Sequence, residues 1–323
     1  MNAVSTALSA LPLILAAAVA SASLILLLRS GRLPRARPNI RSLHRGAVPN
    51  GGGLALWAGW LAGTAWLEAP QPWLVPLLLI VAVSFWDDRF DVPAGARLLV
   101  QAMAAGTWLW LAKAPVNPLA AIVAIAWMAN LFNFMDGSDG LALAMALIGF
   151  GAYATAASMG GGEDAIFLWA LVAAIAPCLV VNFPPAKLFI GDVGAVSLGF
   201  LAATFGISGW YEGTWPGWFP LLVFLPFIAD ATVTLVSRAF RGATIWEAHR
   251  EHFYQKLVLL GWGHRGTLVL YGALMIGSAG SALLALLRAP ASGPSLLALW
   301  SAVMALLFGT IGYYWRAREH GAS

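Results

Sequence analysis

Apolar residues along this chain fall into runs of roughly 16–22 residues, separated by short polar segments. A helix rises about 1.5 Å per residue, so each run can cross a hydrocarbon core about 30 Å thick with modest tilt. The pattern predicts about eleven spans, at 7–28, 52–67, 72–86, 95–112, 117–135, 140–159, 164–182, 193–210, 217–237, 267–287 and 294–315. The second and third are the shortest, and only Glu68-Ala69-Pro70-Gln71 separates them. Trp57, Trp66, Trp73, Trp110, Trp210, Trp215, Trp218 and Trp315 mostly sit near span ends, where aromatic rings anchor at membrane interfaces. The expected fold is all-α: a polytopic membrane helical bundle forming one domain over residues 1–323. The longest polar stretches, 29–51 and 239–266, are too short for a separate soluble domain.

Composition agrees with that pattern. Residues are 60% hydrophobic and 10% charged, against about 25% charged in a soluble domain. The run from Ala7 to Leu28 has no basic n-region or small-residue cleavage site, so it reads as a retained helix. Cys178 is the one cysteine and lies inside an apolar run, which excludes an internal disulfide and favours simple packing. The net charge of +4 does not signal nucleic acid, because the location of the charges matters more than their sum. Sixteen of the 18 Lys and Arg fall in alternate connections, among them Arg29, Arg89, Arg97, Lys187, Arg238 and Arg316; the other connections hold only Lys113 and Arg288. The positive-inside rule puts the first set in the cytoplasm, with the N-terminus outside and the C-terminus inside.

That orientation gathers the polar chemistry on one face, although no acidic residue or histidine was used to set it. Carboxylates near hydrocarbon are costly, and here they recur at helix mouths. Asp87 and Asp88 can share a hard cation, or one can bind it while the other handles a proton; a solvated helix end paired with Arg89 is the plain alternative. Asn130 and Asn133 share a helical face, and Gly137 and Gly140 permit a turn that returns Asp136 and Asp139 over the same mouth. Gly191 and Gly194 flank Asp192 ahead of the eighth span, a natural seat for phosphate at a helix N-terminus, with Phe189 as a stacking surface for a base. His249 and His252 stand three apart in Trp246-Glu-Ala-His-Arg-Glu-His252, with Arg250 and Lys256 available to phosphate oxygens. Their spacing gives poor support for a zinc protease. Arg45 opens the glycine-rich stretch Pro49-Asn-Gly-Gly-Gly53, and Arg97 and Gln101 lie one turn apart. His264 and His320 read as surface residues, and Asp230, inside the ninth span, has no role that local pattern assigns.

These motifs, in this order and over most of the chain, resemble the polyprenyl-phosphate N-acetylhexosamine-1-phosphate transferases. They are Arg41-Ser-Leu-His44 with Pro49 to Gly53, Asp87-Asp88, Arg97-x-x-x-Gln101, Asn130-x-x-Asn133-x-x-Asp136-Gly-x-x-Gly140, Phe189-x-Gly-Asp192-x-Gly194 and the histidine loop. The resemblance implies transfer of sugar-1-phosphate from a UDP-N-acetylhexosamine to undecaprenyl phosphate, giving a lipid pyrophosphoryl sugar and UMP. It implies Mg2+, with Mn2+ as a substitute, held by Asp192 and Asn133. Asp87, Asp88, Asp136, His249 and His252 are the expected catalytic set. Arg45, Arg97, Asn130, Asp139, Phe189 and Arg250 are the expected substrate-binding set. The cell-wall branch carries three adjacent histidines where this chain has His249-Arg-Glu-His252, which points to the branch priming O-antigen or other surface polysaccharides. Expected partners are the two substrates and membrane lipids, with a homodimer as an option and no nucleic acid. The expected location is the bacterial inner membrane, with the site facing the cytoplasm.

Two other readings compete. A secondary transporter would place ionisable groups near the midplane of repeated halves, and Asp230 keeps that idea open. A CDP-alcohol phosphotransferase also uses Asp-Gly motifs, but Asp136-Gly-Ser-Asp139-Gly lacks the following arginine and later paired aspartates.

Overall fold

The computed structural model describes residues 3–36, 43, 46–67, 71–160, 162, 164–243 and 249–321. Its helices are α1 (Ala3–Ser30), α2 (Gly52–Thr64), α3 (Leu74–Phe90), α4 (Ala94–Ala112), α5 (Pro118–Met135), α6 (Leu141–Gly160) and α7 (Ala165–Asn182). There follow α8 (Gly191–Tyr211), α9 (Trp218–Val223), α10 (Leu225–Phe240), α11 (Phe253–Leu257), α12 (Gly263–Arg288) and α13 (Gly293–Gly321). Strands β1 (Arg35–Ala36) and β2 (Val48–Pro49) pair antiparallel. This is an all-α, multi-pass membrane architecture. Seven described segments are long and apolar enough to cross a bilayer: Ala10–Ser30, Pro118–Met135, Leu141–Gly160, Ala165–Asn182, Gly191–Tyr211, Phe253–Arg288 and Pro290–Glu319.

The other four predicted spans are helical but differ for identifiable reasons. Helix α2 has 13 residues, about 20 Å of rise, and α3 has 17. Helix α4 carries Arg97 and Gln101 near its start. The predicted span 217–237 divides at Phe224 into α9 and α10, where Pro226 has no N–H to continue the ladder. The stretch 239–266, expected as a loop, contains α11 and a π-helical segment, Val258–Trp262, that runs into α12.

Helices approach closely where small residues meet. A Cβ on Gly59 or Gly63 of α2 would strike the backbone of α1 at Ala16 and Pro12, so these two helices pack backbone to backbone. Gly199 of α8 sits against the Met128 carbonyl of α5 with no room for a side chain. That contact brings Asn133, one turn beyond in α5, to the start of α8. The tryptophans divide. Trp66, Trp110 and Trp210 are exposed, whereas Trp57, Trp73 and Trp215 are core residues and not interface anchors. Trp57 Nε1 donates to Val193 O at 2.9 Å, and Trp215 Nε1 to Gly206 O at 3.1 Å. Buried indoles usually find such an acceptor, which hydropathy alone does not reveal, although Trp73 Nε1 has none among the described residues.

Gly199→Ala should therefore lower the melting temperature of detergent-solubilised protein, since overpacking costs about 1–3 kcal/mol. Gly151→Ala, at a helical glycine with open space at its Cβ position, should not lower the melting temperature in the same experiment.

Candidate active site

The glycine-rich segment docks directly on the Phe189 motif. Phe189 N donates to Pro49 O at 2.9 Å, Gly52 N to Phe189 O at 2.8 Å, and Gly53 N to Ile190 O at 3.0 Å. Asp88 then joins a third motif to these two. Its Oδ1 accepts from Asn50 Nδ2 and from Asp192 N, both at 3.1 Å, and its Oδ2 faces Val193 N at 3.4 Å. The first amides of α8, expected to seat a phosphate, are thus taken by the Asp88 carboxylate. That is chemically equivalent compensation of a helix N-terminus, supplied from within the chain. Gly191 makes the junction possible: its φ is +67°, and a Cβ there would lie 2.6 Å from both Asn50 Oδ1 and Asp88 Oδ2.

Asp87 faces the other way along α3. Its Oδ1 accepts from Val92 N at 2.7 Å and its Oδ2 from Arg97 Nη1 at 2.9 Å, which fixes the α3–α4 turn. Arg89 is not its partner; that guanidinium lies over the Phe85 ring. Arg97 also reaches Asp192 Oδ2 at 3.6 Å, and Asn133 Nδ2 donates to the same oxygen at 3.3 Å. Asn130 donates to Gln101, tying α5 to α4. Asp136 caps α5 beside them. Burial pushes its carboxyl well above the ordinary range, and the charges of Asp192, Asp88 and Asp139 push in the same direction.

The opposite wall is built from the α5–α6 turn, the segment before α8 and the start of α12. Asp139 Oδ2 accepts from Ala186 N at 2.9 Å. Asn182 accepts from Gly140 N and donates to Leu188 O, both at 2.9 Å. His264 Nδ1 accepts from Asp139 N at 3.2 Å and lies 3.0 Å from Ser138 Oγ. An accepting Nδ1 leaves the ring proton on Nε2. The histidine loop closes the wall: His249 stacks on His252 with centroids 4.9 Å apart, and His252 stacks on Phe134 at 6.0 Å.

One cavity of about 680 Å³ joins all of this. Among the predicted residues, Asp88, Asp136, Asp192, His249 and His252 line it, as do Arg97, Asn130, Asn133, Asp139 and Phe189. Asp87 lies behind Arg97 and Arg250 does not line the cavity, while Arg45 and the Arg41 to His44 stretch, Leu43 apart, are outside the described residues. Burial separates the two loop histidines, because His252 is only 2% exposed. The sequence reading missed Asn182, Gln255, Ser138 and His264, all of which line the cavity. His264 is a correction: it is a wall residue, not a surface one. The signal for it was slight, a Gly261-Trp-Gly263 pair with φ of +107° and +62° that turns the chain back toward Asp139.

The donors suit a hard divalent cation. Among the described residues the cavity lining holds four carboxylates (Asp88, Asp136, Asp139 and Asp192) against one arginine, Arg97, and Asn50 Oδ1 is buried beside Asp88 without a hydrogen-bond partner. Among the described residues no three His, Cys, Asp or Glu side chains form a ready-made cage. Mg2+ rarely uses one; it takes one or two carboxylates and completes its shell with water and substrate phosphate.

Residues 71–209, spanning α3 to α8, match the family model for glycosyl transferase family 4. The chain is 28% identical over 261 residues, 73% of each chain, to a probable undecaprenyl-phosphate N-acetylglucosaminyl 1-phosphate transferase of Bacillus subtilis. It is 27% identical over 267 residues, 72% of each chain, to an undecaprenyl-phosphate alpha-N-acetylglucosaminyl 1-phosphate transferase of Yersinia pestis. An Escherichia coli K12 protein of the same description is 25% identical over 267 residues, covering 72% of this chain and 71% of its own.

Asp88→Asn should lower the melting temperature, because an amide turns a donor toward backbone N–H groups and leaves one unsatisfied, at about 1–3 kcal/mol. Asp91→Asn should not, since Asp91 holds a left-handed cap with φ of +47° that asparagine adopts equally well. Thermal unfolding of the two variants side by side checks both.

Proposed function

We propose that this chain is a polyprenyl-phosphate N-acetylhexosamine-1-phosphate transferase, which transfers N-acetylhexosamine-1-phosphate from a UDP-sugar to undecaprenyl phosphate and releases UMP. The observation that carries this reading is the convergence of six separate motifs on one cavity at one end of the bundle. UDP-N-acetylglucosamine is the first donor to test, because the relatives carry N-acetylglucosaminyl in their names. The product would prime O-antigen or another surface polysaccharide at the inner membrane. Eleven spans, an outside N-terminus and a cytoplasmic site complete the proposal, on the asymmetry of Lys and Arg.

A lipid acceptor also finds support beyond the polar site. A second, almost wholly apolar cavity of about 440 Å³ lies among α5, α6, α8, α9 and α10, and Trp127 borders both cavities. An isoprenoid tail can follow that wall while its phosphate stays with Arg97.

In the reaction, a phosphate oxygen of the acceptor forms a bond to the donor's β-phosphorus as the bond from that phosphorus to the bridging oxygen breaks. UMP leaves with the bridging oxygen. The acceptor phosphate has a second pKa near 6 and is largely dianionic at neutral pH, so it needs little base assistance. Arg97, held by Asp87, supplies fixed positive charge to phosphate oxygens. Phe189, Asp139 and His264 line the region where a base would sit, and His249 lies at the wall where the sugar phosphate would sit. Mg2+, with Mn2+ as a substitute, would be held by Asp192 with Asn133 and would neutralise charge on the transferring phosphoryl group. Attack in one step is favoured over an aspartyl-phosphate on Asp87 or Asp136, because both oxygens of Asp87 are already engaged and burial pushes the Asp136 carboxyl up, toward its less nucleophilic neutral form. The transporter alternative loses its motive, because the ionisable groups gather at one end of the helices and not in repeated halves.

Purified protein given undecaprenyl phosphate, Mg2+ and a panel of UDP-N-acetylhexosamines should release UMP only when lipid and metal are both present. Asp192→Asn should cut that rate by about 100-fold or more without unfolding the protein. UMP release that ignores the lipid, or near-normal turnover in the variant, would refute the assignment of this centre.

A further inference from the structure

Asp230 is a carboxylate wholly buried in α10, and none of the steps above uses it. An uncompensated charge there would be very costly, so its partners indicate what it is for. Oδ1 accepts from Phe253 N and Oδ2 from Tyr254 N, each at 2.9 Å. Tyr271 Oη donates to Oδ2, and Thr234 Oγ1, one turn along α10, lies 3.3 Å from Oδ1. His252 Nδ1 is 3.4 Å from Oδ1. Phe253 and Tyr254 are the first two residues of α11, so Asp230 compensates the N-terminal amides of a helix that lies more than 20 residues further along the chain.

The grip continues along the same helix face. Asp230, Thr234 and Arg238 are spaced by four and buried, and Arg241 follows at the end of the stripe. Arg238 and Arg241 both pair with Glu251. Burial would raise the Glu251 carboxyl, but the hydrogen bond from Arg241 and the charges of both arginines hold it below its ordinary range. Four consecutive residues, 251 to 254, are therefore clasped by one face of α10. The clasped segment is the one that brings His249, His252 and Tyr254 to the cavity, and Tyr254 Oη donates to Phe134 O at 2.9 Å, beside the Asp136 turn.

We propose that Asp230 is a positioning residue: by holding the start of α11 it sets the histidine loop against the Asp136–Asp139 side of the cavity, and so governs engagement of the nucleotide-sugar donor and not of the lipid phosphate. This rests on the transferase reading for its substrates. The anchor itself rests only on the contacts above. The contacts that anchor residues 251 to 254 run to α10 and Phe134, whereas Asp88, Arg97 and Asp192 are held by Asn50, Asp87, Asn133 and the start of α8. Loosening the loop should therefore affect the two substrates unequally.

The test compares Asp230→Asn and Tyr271→Phe with the unaltered protein in detergent. Asp230→Asn should lower kcat/KM for the UDP-sugar by about tenfold to 100-fold, with the KM for undecaprenyl phosphate within about twofold. Tyr271→Phe should act in the same direction and less. Adding His252→Ala to Asp230→Asn should cost much less than His252→Ala does alone, since a released loop no longer presents that ring. Hydrogen–deuterium exchange should show faster exchange at Phe253 and Tyr254 in Asp230→Asn, with α5 and α8 still protected. Unchanged donor kinetics, equal losses for both substrates, or multiplicative effects with His252→Ala would overturn the proposal. If Asp230→Asn does not survive purification, Tyr271→Phe carries the same comparison. An unaltered protein that transfers nothing would sink the transferase reading instead, and exchange would still decide the anchor: unchanged protection at Phe253 and Tyr254 overturns it.

Discussion

The junction on which the site depends is the capping of α8 by Asp88, made at Gly191 where no side chain fits. A helix beginning inside an apolar bundle presents amides that need an acceptor, and water is scarce there. Asp88 supplies one from α3, Asn50 bonds the same carboxylate from the glycine-rich segment, and Phe189 N bonds back to Pro49. Three distant segments are thereby fixed against one helix start, and Asp192 on the first turn of α8 inherits a defined position. Remove the compact turn at Gly191 and the carboxylate cannot reach the amides, because a Cβ would occupy the same space. Packing at Gly199 against α5 then delivers Asn133 to Asp192. Backbone proximity, more than any single polar contact, positions the chemistry.

Much of this was legible in the chain. All the predicted apolar runs are helical, and most of the candidate residues border one cavity, because a carboxylate at the mouth of an apolar helix is expensive enough to be informative. The division of labour within Asp87-Asp88 was not legible. Adjacent residues on a helix point in different directions, and which backbone amides each finds depends on the tertiary fold. Trp57 and Trp73 misled for a related reason: closeness to a span end says interface, yet most of the short α2 is buried, and Trp73, just before α3, stacks on Trp60 of α2. His264 and Asp230 were the least readable. Their partners are backbone groups of Asp139, Phe253 and Tyr254, and backbone groups leave no mark in a sequence.

Asp230 and Asp88 are two uses of one device. Each is a carboxylate carried on one helix that compensates the N-terminal amides of another, α11 and α8 respectively. One caps the helix bearing Asp192 and the other the helix after His252, so the two halves of the cavity wall are hung independently. The hydrogen bonds of one cap share no residue with those of the other. That separation fits a site that must admit two anionic substrates of very different shape.

Electrostatics sets the remaining constraint. The cavity presents more carboxylate than arginine charge, and Asp136 already responds by holding its proton more tightly than an ordinary carboxyl does. Two phosphate-bearing substrates entering such a wall would add to the excess, so positive charge must arrive with them. Arg97 alone is too little, being itself partly spent on Asp87 and Asp192. A divalent cation carried in with the donor's diphosphate, as proposed, would balance the wall and the ligand together without a preformed cage. On the transferase reading, the oxygen-rich but incompletely assembled set around Asp192 is then the expected form of the site: the substrate supplies the ligands that the protein leaves out.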